Sequence, residues 1–364
     1  MKRIRPWHIV ALIGLIYVAI TFARNNFDPL RFALIGSQYD PGIPNGTPGY
    51  DGQFAYQIAR DPINGWTKID VSAYRYQRIV YPIAARVLAL GNVDLIPWTL
   101  IAINIAALIA GTWFTEMILE HYQVSRWYAL VYGLNAGTLM SVRLDLTEPL
   151  AYALAQLGVL LLLQDRSRWA ALAFAFAVLT KETTLLFVAG VAVTYLIDRR
   201  GRKLIELITI SISPFAIWQI VLLNRFGQLG IGSGGALSTP FEIIPLRGLW
   251  SIASIDVRVF LLMTIIMLPM AVLPMAFALR SVWRDARTKK FDLAAALLLL
   301  NAFIILFTPQ STFREPLAMA RFAVGLIATT LTYAAARKSK RGLNYALLWM
   351  FTLGFALNEA QLPN

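Results

Sequence analysis

Trp169 to Asp198 reads WAALAFAFAVLTKETTLLFVAGVAVTYLID, two apolar runs with Lys181, Glu182 and Thr183 between them. As one straight helix it would put Arg166 and Arg168 on the opposite membrane face from Arg199, Arg200, Arg202 and Lys203, although basic residues collect on the cytoplasmic side. Two short helices meeting at Lys181-Glu182-Thr183 keep both groups on one side. At about 1.5 Å per residue these runs reach only about 18 and 22 Å, so the junction lies below the far surface of the bilayer. Irregular backbone at that depth is tolerated only inside protein or in a watery cavity. The stretch therefore predicts a helical membrane bundle with a polar cavity near its outer face.

The rest of the chain agrees. Of 364 residues, 58% are apolar and 15% charged, and the mean hydropathy is +0.60; ordinary soluble domains run at about 45–50% and about 25%. This excludes a water-soluble globule, disorder and a coiled coil. Apolar runs near 7–23, 95–118, 126–142, 147–163, 169–180, 183–197, 204–223, 258–279, 292–308, 318–336 and 343–358 predict an all-α polytopic bundle of about eleven membrane helices. It forms one membrane unit over residues 1–364, with a first outer loop at 24–78 and a second at 225–257. The stretch 79–91 would span only about 20 Å and is interrupted by Pro82 and Arg86, so it reads as an interfacial helix. The first run is read as a retained anchor rather than a cleaved signal.

The net charge of +13 would point to nucleic acid in a soluble protein. Here the basic residues sit in short clusters between apolar runs: Lys2, Arg3 and Arg5; Arg199 to Lys203; Arg284 to Lys290; Arg337 to Arg341. These are markers of the cytoplasmic side and give no reason to expect nucleic acid. They place the N-terminus in the cytoplasm, and 13 of the 20 acids then fall on the outer side. With no Cys and only His8 and His121, a thiolate or imidazole metal site is not indicated.

Within the first loop, Tyr50-Asp51-Gly52-Gln53-Phe54 opens a short amphipathic helix that Pro62 stops. Asp51 has two readings, an N-cap carboxylate or a general base held just outside the membrane among aromatic neighbours. Tyr74-Arg75-Tyr76-Gln77-Arg78 interleaves arginine with tyrosine. It reads as an aromatic belt with headgroup contacts or as a phosphate clamp, because the guanidinium fork matches phosphate oxygens. In Arg143-Leu144-Asp145-Leu146-Thr147-Glu148-Pro149, Arg143 and Asp145 are expected to pair, while Glu148 enters a spanning helix where an acid is costly unless paired or wetted. Lys181, Glu182, Arg314 and Arg321 are further charges on the outer side. Five glycines between Gly227 and Gly235 read as a flexible linker, with a lid as the other possibility.

These stretches resemble the GT-C superfamily of integral-membrane glycosyltransferases, which use polyprenyl-phosphate sugars. The resemblance rests on Tyr50 to Phe54 in a first outer loop, Tyr76 to Pro82, Thr147-Glu148-Pro149 and Leu179 to Thr183; it covers mainly residues 1–200, with Arg314-Glu315 and Arg321 as looser matches. It implies that an acid in the first outer loop is the catalytic base, a role carried onto Asp51. The family pattern there is a pair of adjacent acids, whereas Asp51 is followed by glycine; the second acid is left open between Asp61 and Asp40.

The function that follows is transfer of a sugar from a polyprenyl-phosphate donor to a hydroxyl of a lipid or glycan acceptor at the outer face of the cell envelope, with inversion. Asp51 and Asp61 are the catalytic candidates. Tyr50, Gln53, Arg75, Arg78, Glu148, Lys181, Glu182, Arg314 and Arg321 are the candidates for binding substrate. No cofactor is called for, although a divalent ion near Asp51 and Asp61 is left open. The rival reading is a transporter or flippase of a lipid-linked or anionic substrate; such proteins often carry duplicated halves with paired broken helices, and this chain shows one broken segment and no repeat. A noncatalytic envelope partner is a third reading, favoured if amide capping fixes Asp51.

Overall fold

The structure, a computed structural model, describes residues 4–43 and 45–354. Lys2, Arg3 and the end of the apolar run 343–358 lie outside them. All regular structure among the described residues is helical. Pro6–Arg24, Val93–His121, Gly201–Phe226 and Val257–Arg287 are long and apolar enough to cross a membrane. Pro316–Phe322 and Val324–Ala336 form a span bent by 42°. Glu148–Leu163, Ser167–Thr180, Glu182–Ile197 and Leu293–Phe307 are shorter apolar helices. Their outward faces expose Leu12, Leu15, Ile16, Ile217, Ile220, Leu261 and Ile265, a surface that only lipid tails cover at low cost. The protein is integral to the membrane.

The break in the opening stretch is present. Ser167–Thr180 ends at an extended Lys181, one turn follows at Glu182–Thr184, and Leu185–Ile197 continues. Val80–Leu88 is a short helix of its own, as the length of the stretch predicts, but it runs through Pro82 and Arg86 without the interruption expected there. The run 126–142, by contrast, is not one helix. It divides into Ala129–Gly133 and Ala136–Arg143. Asn135 makes the break by accepting from Thr138 N at 3.1 Å and donating to Tyr132 O at 2.7 Å, so its side chain replaces helix bonds with local ones. Wide π turns at Ile208–Ile212 and Leu268–Val272 adjoin or include prolines, Pro214 and Pro269, which cannot donate to the helix ladder.

Glu148–Leu163 packs between Ile96–His121 and Ser167–Thr180. Fully buried Ala151, Ala155, Ala170 and Ala177 let these backbones approach, because small residues take the place of a hydrophobic drive inside a membrane. The first loop then closes one end of the bundle. Gly52–Arg60 packs on Val80–Leu88, which packs on the start of Ile96–His121, through Ala55, Ala59, Tyr81, Ala85, Ile96 and Leu100.

The second loop is not the slack linker its glycines predict. Gln219 Oε1 accepts from Gly230 N at 2.8 Å and Ile231 N at 3.0 Å, and Ala236 N donates to Asp70 at 3.1 Å. Glycine serves close packing here: a Cβ at Gly235 would sit 2.8 Å from Arg75 Nη2. The two large loops therefore meet, and Arg75 lies at their junction.

Candidate active site

Asp51 stands immediately before the helix Gly52–Arg60, with helical dihedrals and no side-chain bond to the helix amides. Capping therefore does not account for its carboxylate, since an N-cap is ordinarily extended and accepts from the first-turn N–H groups. Two arginines hold it instead. Arg75 Nη1 lies 3.0 Å from Asp51 Oδ1, and Arg321 Nη2 lies 3.0 Å from Oδ2.

Each arginine is itself oriented by a more deeply buried acid. Arg75 donates from Nε and Nη2 to the two oxygens of Asp70, both at 2.8 Å, and its guanidinium lies 4.0 Å from the centre of the Phe54 ring. Asp70, only 3% exposed, also accepts from Val71 N and Ala236 N. Arg321 donates from Nε to Glu148 at 2.7 Å and from Nη1 to the Tyr50 hydroxyl at 3.2 Å. The Tyr50 hydroxyl in turn donates to Glu315 at 2.5 Å. Asp51, at 31% exposed, is far more accessible than Asp70 or Glu148, the acids that orient its arginines.

The remaining cations are paired close by. Arg78 binds both oxygens of Glu182 at 2.9 and 2.6 Å and donates to the Tyr74 hydroxyl at 2.6 Å. Lys181 Nζ lies 3.1 Å from Glu148 Oε1. Four cations (Arg75, Arg78, Lys181, Arg321) thus meet four carboxylates (Asp51, Asp70, Glu148, Glu182). The cluster draws on the first loop, the turn before Glu148, the break at Lys181 and the bent span, so the fold itself assembles it.

Asp51, Arg75, Arg78, Asp145, Thr147 and Arg321 contribute to a cavity of about 30 Å³, room for about one water. Asp145 is the acid that spacing alone misjudges. Instead of pairing, it is fully buried, and neither carboxylate oxygen has a hydrogen-bond partner. Arg143 donates to Arg31 O at 2.8 Å instead. Asp145 sits in the left-handed region (φ 49°) just past Ala136–Arg143, a conformation that Asp tolerates better than most residues. Gly52 explains the approach of this turn to Asp51: a Cβ there would lie 2.1 Å from Leu144 O. A second acid of this cavity, Asp145, comes across space from the 144–147 turn.

Asp61 is not brought to the cluster. Its carboxylate accepts from Ile63 N at 3.1 Å, Asn64 N at 3.0 Å and Asn64 Nδ2 at 3.2 Å, which closes its own turn. Asp40 pairs with Lys68 at 2.9 Å. Gln53 is buried and accepts from Gly36 N at 3.1 Å, bracing the loop behind Asp51. Arg314 is exposed, beside the Glu315 that Tyr50 contacts.

Electrostatics separate the acids. Burial raises the Asp51 carboxyl, but Arg75, Arg321 and Arg78, with the hydrogen bond from Arg321, outweigh it and hold it well below the carboxylate range. Asp70 is likewise raised by burial and lowered further by its bond to Arg75 and by that charge. Asp145 has burial with only Arg143 opposing it, and its carboxyl is pushed well up. The site therefore sets an acid held low beside one pushed up, an arrangement suited to acid–base chemistry.

No protein-family model matches the chain, and no curated sequence matches it. Among solved structures it is similar to ArnT from Cupriavidus metallidurans bound to undecaprenyl phosphate, with TM-score 0.50 and 11% identity, over 96% of this chain and 75% of that one. The chain shares the overall fold of that structure. At that identity the likeness is one of fold, and the arguments for this site remain the contacts of its own residues.

Proposed function

We propose that the protein transfers a sugar from a polyprenyl-phosphate donor to an acceptor hydroxyl, at the membrane face that carries the first loop. The observation that carries this reading is the ionised Asp51 carboxylate, uncommitted to its helix and set among buried cations. The fold supports it, since the solved ArnT structure of the same fold holds undecaprenyl phosphate. The positive-inside rule supports the outer face, because the basic clusters occupy the opposite helix ends.

In the reaction the acceptor oxygen attacks the anomeric carbon as its proton passes to Asp51. The bond from that carbon to the phosphate oxygen breaks, and the electron pair leaves on polyprenyl phosphate, which needs no protonation to depart. Attack opposite the leaving group inverts the anomeric centre. Arg75, Arg321, Arg78 and Lys181 supply fixed positive charge to the departing phosphate, and such preorganised charge acts most strongly where water is scarce. Asp145, neutral in the same cavity, is placed to donate a hydrogen bond to a sugar or acceptor oxygen.

The test is purified protein offered a panel of polyprenyl-phosphate sugars with an acceptor extract, with release of polyprenyl phosphate scored by mass spectrometry. Release with one donor class is expected. Intact donor throughout, from protein shown to bind polyprenyl phosphate, would contradict the transferase reading.

A further inference from the structure

The cations that would receive a phosphate are already occupied. Arg75 is fixed by Asp70 through two bonds and Arg321 by Glu148 through one, and each turns one remaining N–H edge toward the same place. Asp51 fills that place, one oxygen on each guanidinium at 3.0 Å. A carboxylate that bridges two guanidinium groups presents the same two-oxygen, negatively charged edge as a phosphate. The cavity beside it is small, about 30 Å³, and the two N–H groups that would face a phosphate there are taken by Asp51. Asp51 is also the most exposed acid among the four paired carboxylates, and it makes no capping bond that its movement would break.

We propose that Asp51 is a built-in occupant of the donor's phosphate seat: the phosphate takes Arg75 Nη1 and Arg321 Nη2 from it, and the displaced carboxylate becomes free to act as base. The inference rests on the transferase reading and adds order to it. Without donor, both arginine charges hold Asp51 ionised and weakly basic. With donor bound, the arginines are spent on phosphate and a second anion stands beside the carboxylate, so its basicity rises where and when the acceptor proton must be taken. Asp70 and Glu148 are then positioning residues, which keep the two N–H edges in place while their partner is exchanged.

Competition makes an unusual demand on the variants: removing the base must improve binding of the phosphate lipid. The probe is undecaprenyl phosphate without sugar, titrated by native mass spectrometry into the purified full chain. Asp51→Asn and Asp51→Ala are each expected to bind it about tenfold tighter or more, because a like charge is removed from the seat. Either variant suffices if the other fails to stay monodisperse. Asp61→Asn removes an acid of the same loop that touches neither arginine, and its affinity is expected within about threefold of the parent. Equal or weaker binding by the Asp51 variants would overturn the exchange while leaving the transferase reading intact. An equal gain in Asp61→Asn would also overturn it, by reducing the effect to the general charge of the loop. No binding by parent or variants would remove the seat itself, and the polyprenyl-phosphate donor with it.

Discussion

The two ends of the bundle use the same chemistry to different ends. At the end closed by the first loop, Arg75, Arg78 and Arg321 are 9–10% exposed and bound to Asp51, Asp70, Glu148 or Glu182. At the opposite end Arg168, Arg200 and Arg202 are 52–85% exposed and pair with Glu206 or Asp198 nearby. Exposed pairs are screened and contribute little, so their value lies in marking which face stays in the cytoplasm. Buried pairs cost several kcal/mol per ion in lost hydration, and stability alone does not explain four of them together. The division is not absolute, because Arg5 with Glu116 and Arg337 with Asp285 tie helix ends at the exposed end, both at 2.6 Å.

The contrast can be broken most directly by removing one arginine from each end. Arg321→Gln should cost about 3 kcal/mol of stability, the low end for breaking a buried pair because Lys181 still faces Glu148. Arg168→Gln should change stability by less than about 0.5 kcal/mol. Thermal unfolding in detergent measures both, and similar losses at the two ends would erase the distinction.

A Cβ at position 52 tests whether the loop must come so close to the 144–147 turn. Gly52→Ala forces an atom toward Leu144 O and should destabilise by about 1–3 kcal/mol, the usual cost of overpacking. Unchanged stability would mean that Asp51 and Asp145 are not held together as described.

Asp145 gives a pH-dependent effect with a defined sign. Its folded-state carboxyl lies above the unfolded value of about 3.9, so over that interval the folded protein binds more protons than the unfolded chain, and stability falls as pH rises. Asp145→Asn removes this slope. The variant should be more stable than the parent at pH 7, by about 1.4 kcal/mol for each pH unit over which the folded carboxyl keeps its proton beyond the unfolded value, and nearly equal to it at pH 4. Equal stability at both values would show that the acid is paired and ionised.

Much of the fold was legible because membrane solvent imposes a simple rule on length and polarity. The break at Lys181-Glu182-Thr183 followed from charge sidedness, and the short helix 80–88 from length, while the interruption expected at Pro82 and Arg86 did not occur because Pro82 sits in the first turn. The division at Asn135 was not legible, because it depends on a side chain choosing local backbone partners over solvent or helix. Asp51, Arg75, Arg78, Glu148, Lys181, Glu182 and Arg321 could be picked out as charges where charge is expensive. Which of them meet could not, since Asp51 and Arg321 are 270 positions apart. Asp70 escaped notice because its i,i+5 bond to Arg75 follows no helix spacing. Asp145 escaped it because a basic residue two positions away offered an adequate local partner, and only the fold turns Arg143 toward Arg31 O.

Sugar transfer by Asp51→Asn beside Asp61→Asn tests the central claim most directly. Asn keeps the size of Asp51 and no capping bond is lost, but its amide cannot take the acceptor proton at neutral pH. The account predicts folded protein with transfer reduced by about 10²-fold or more, the range for a lost general base, while Asp61→Asn transfers at the parent rate. Transfer at the parent rate by Asp51→Asn would contradict it.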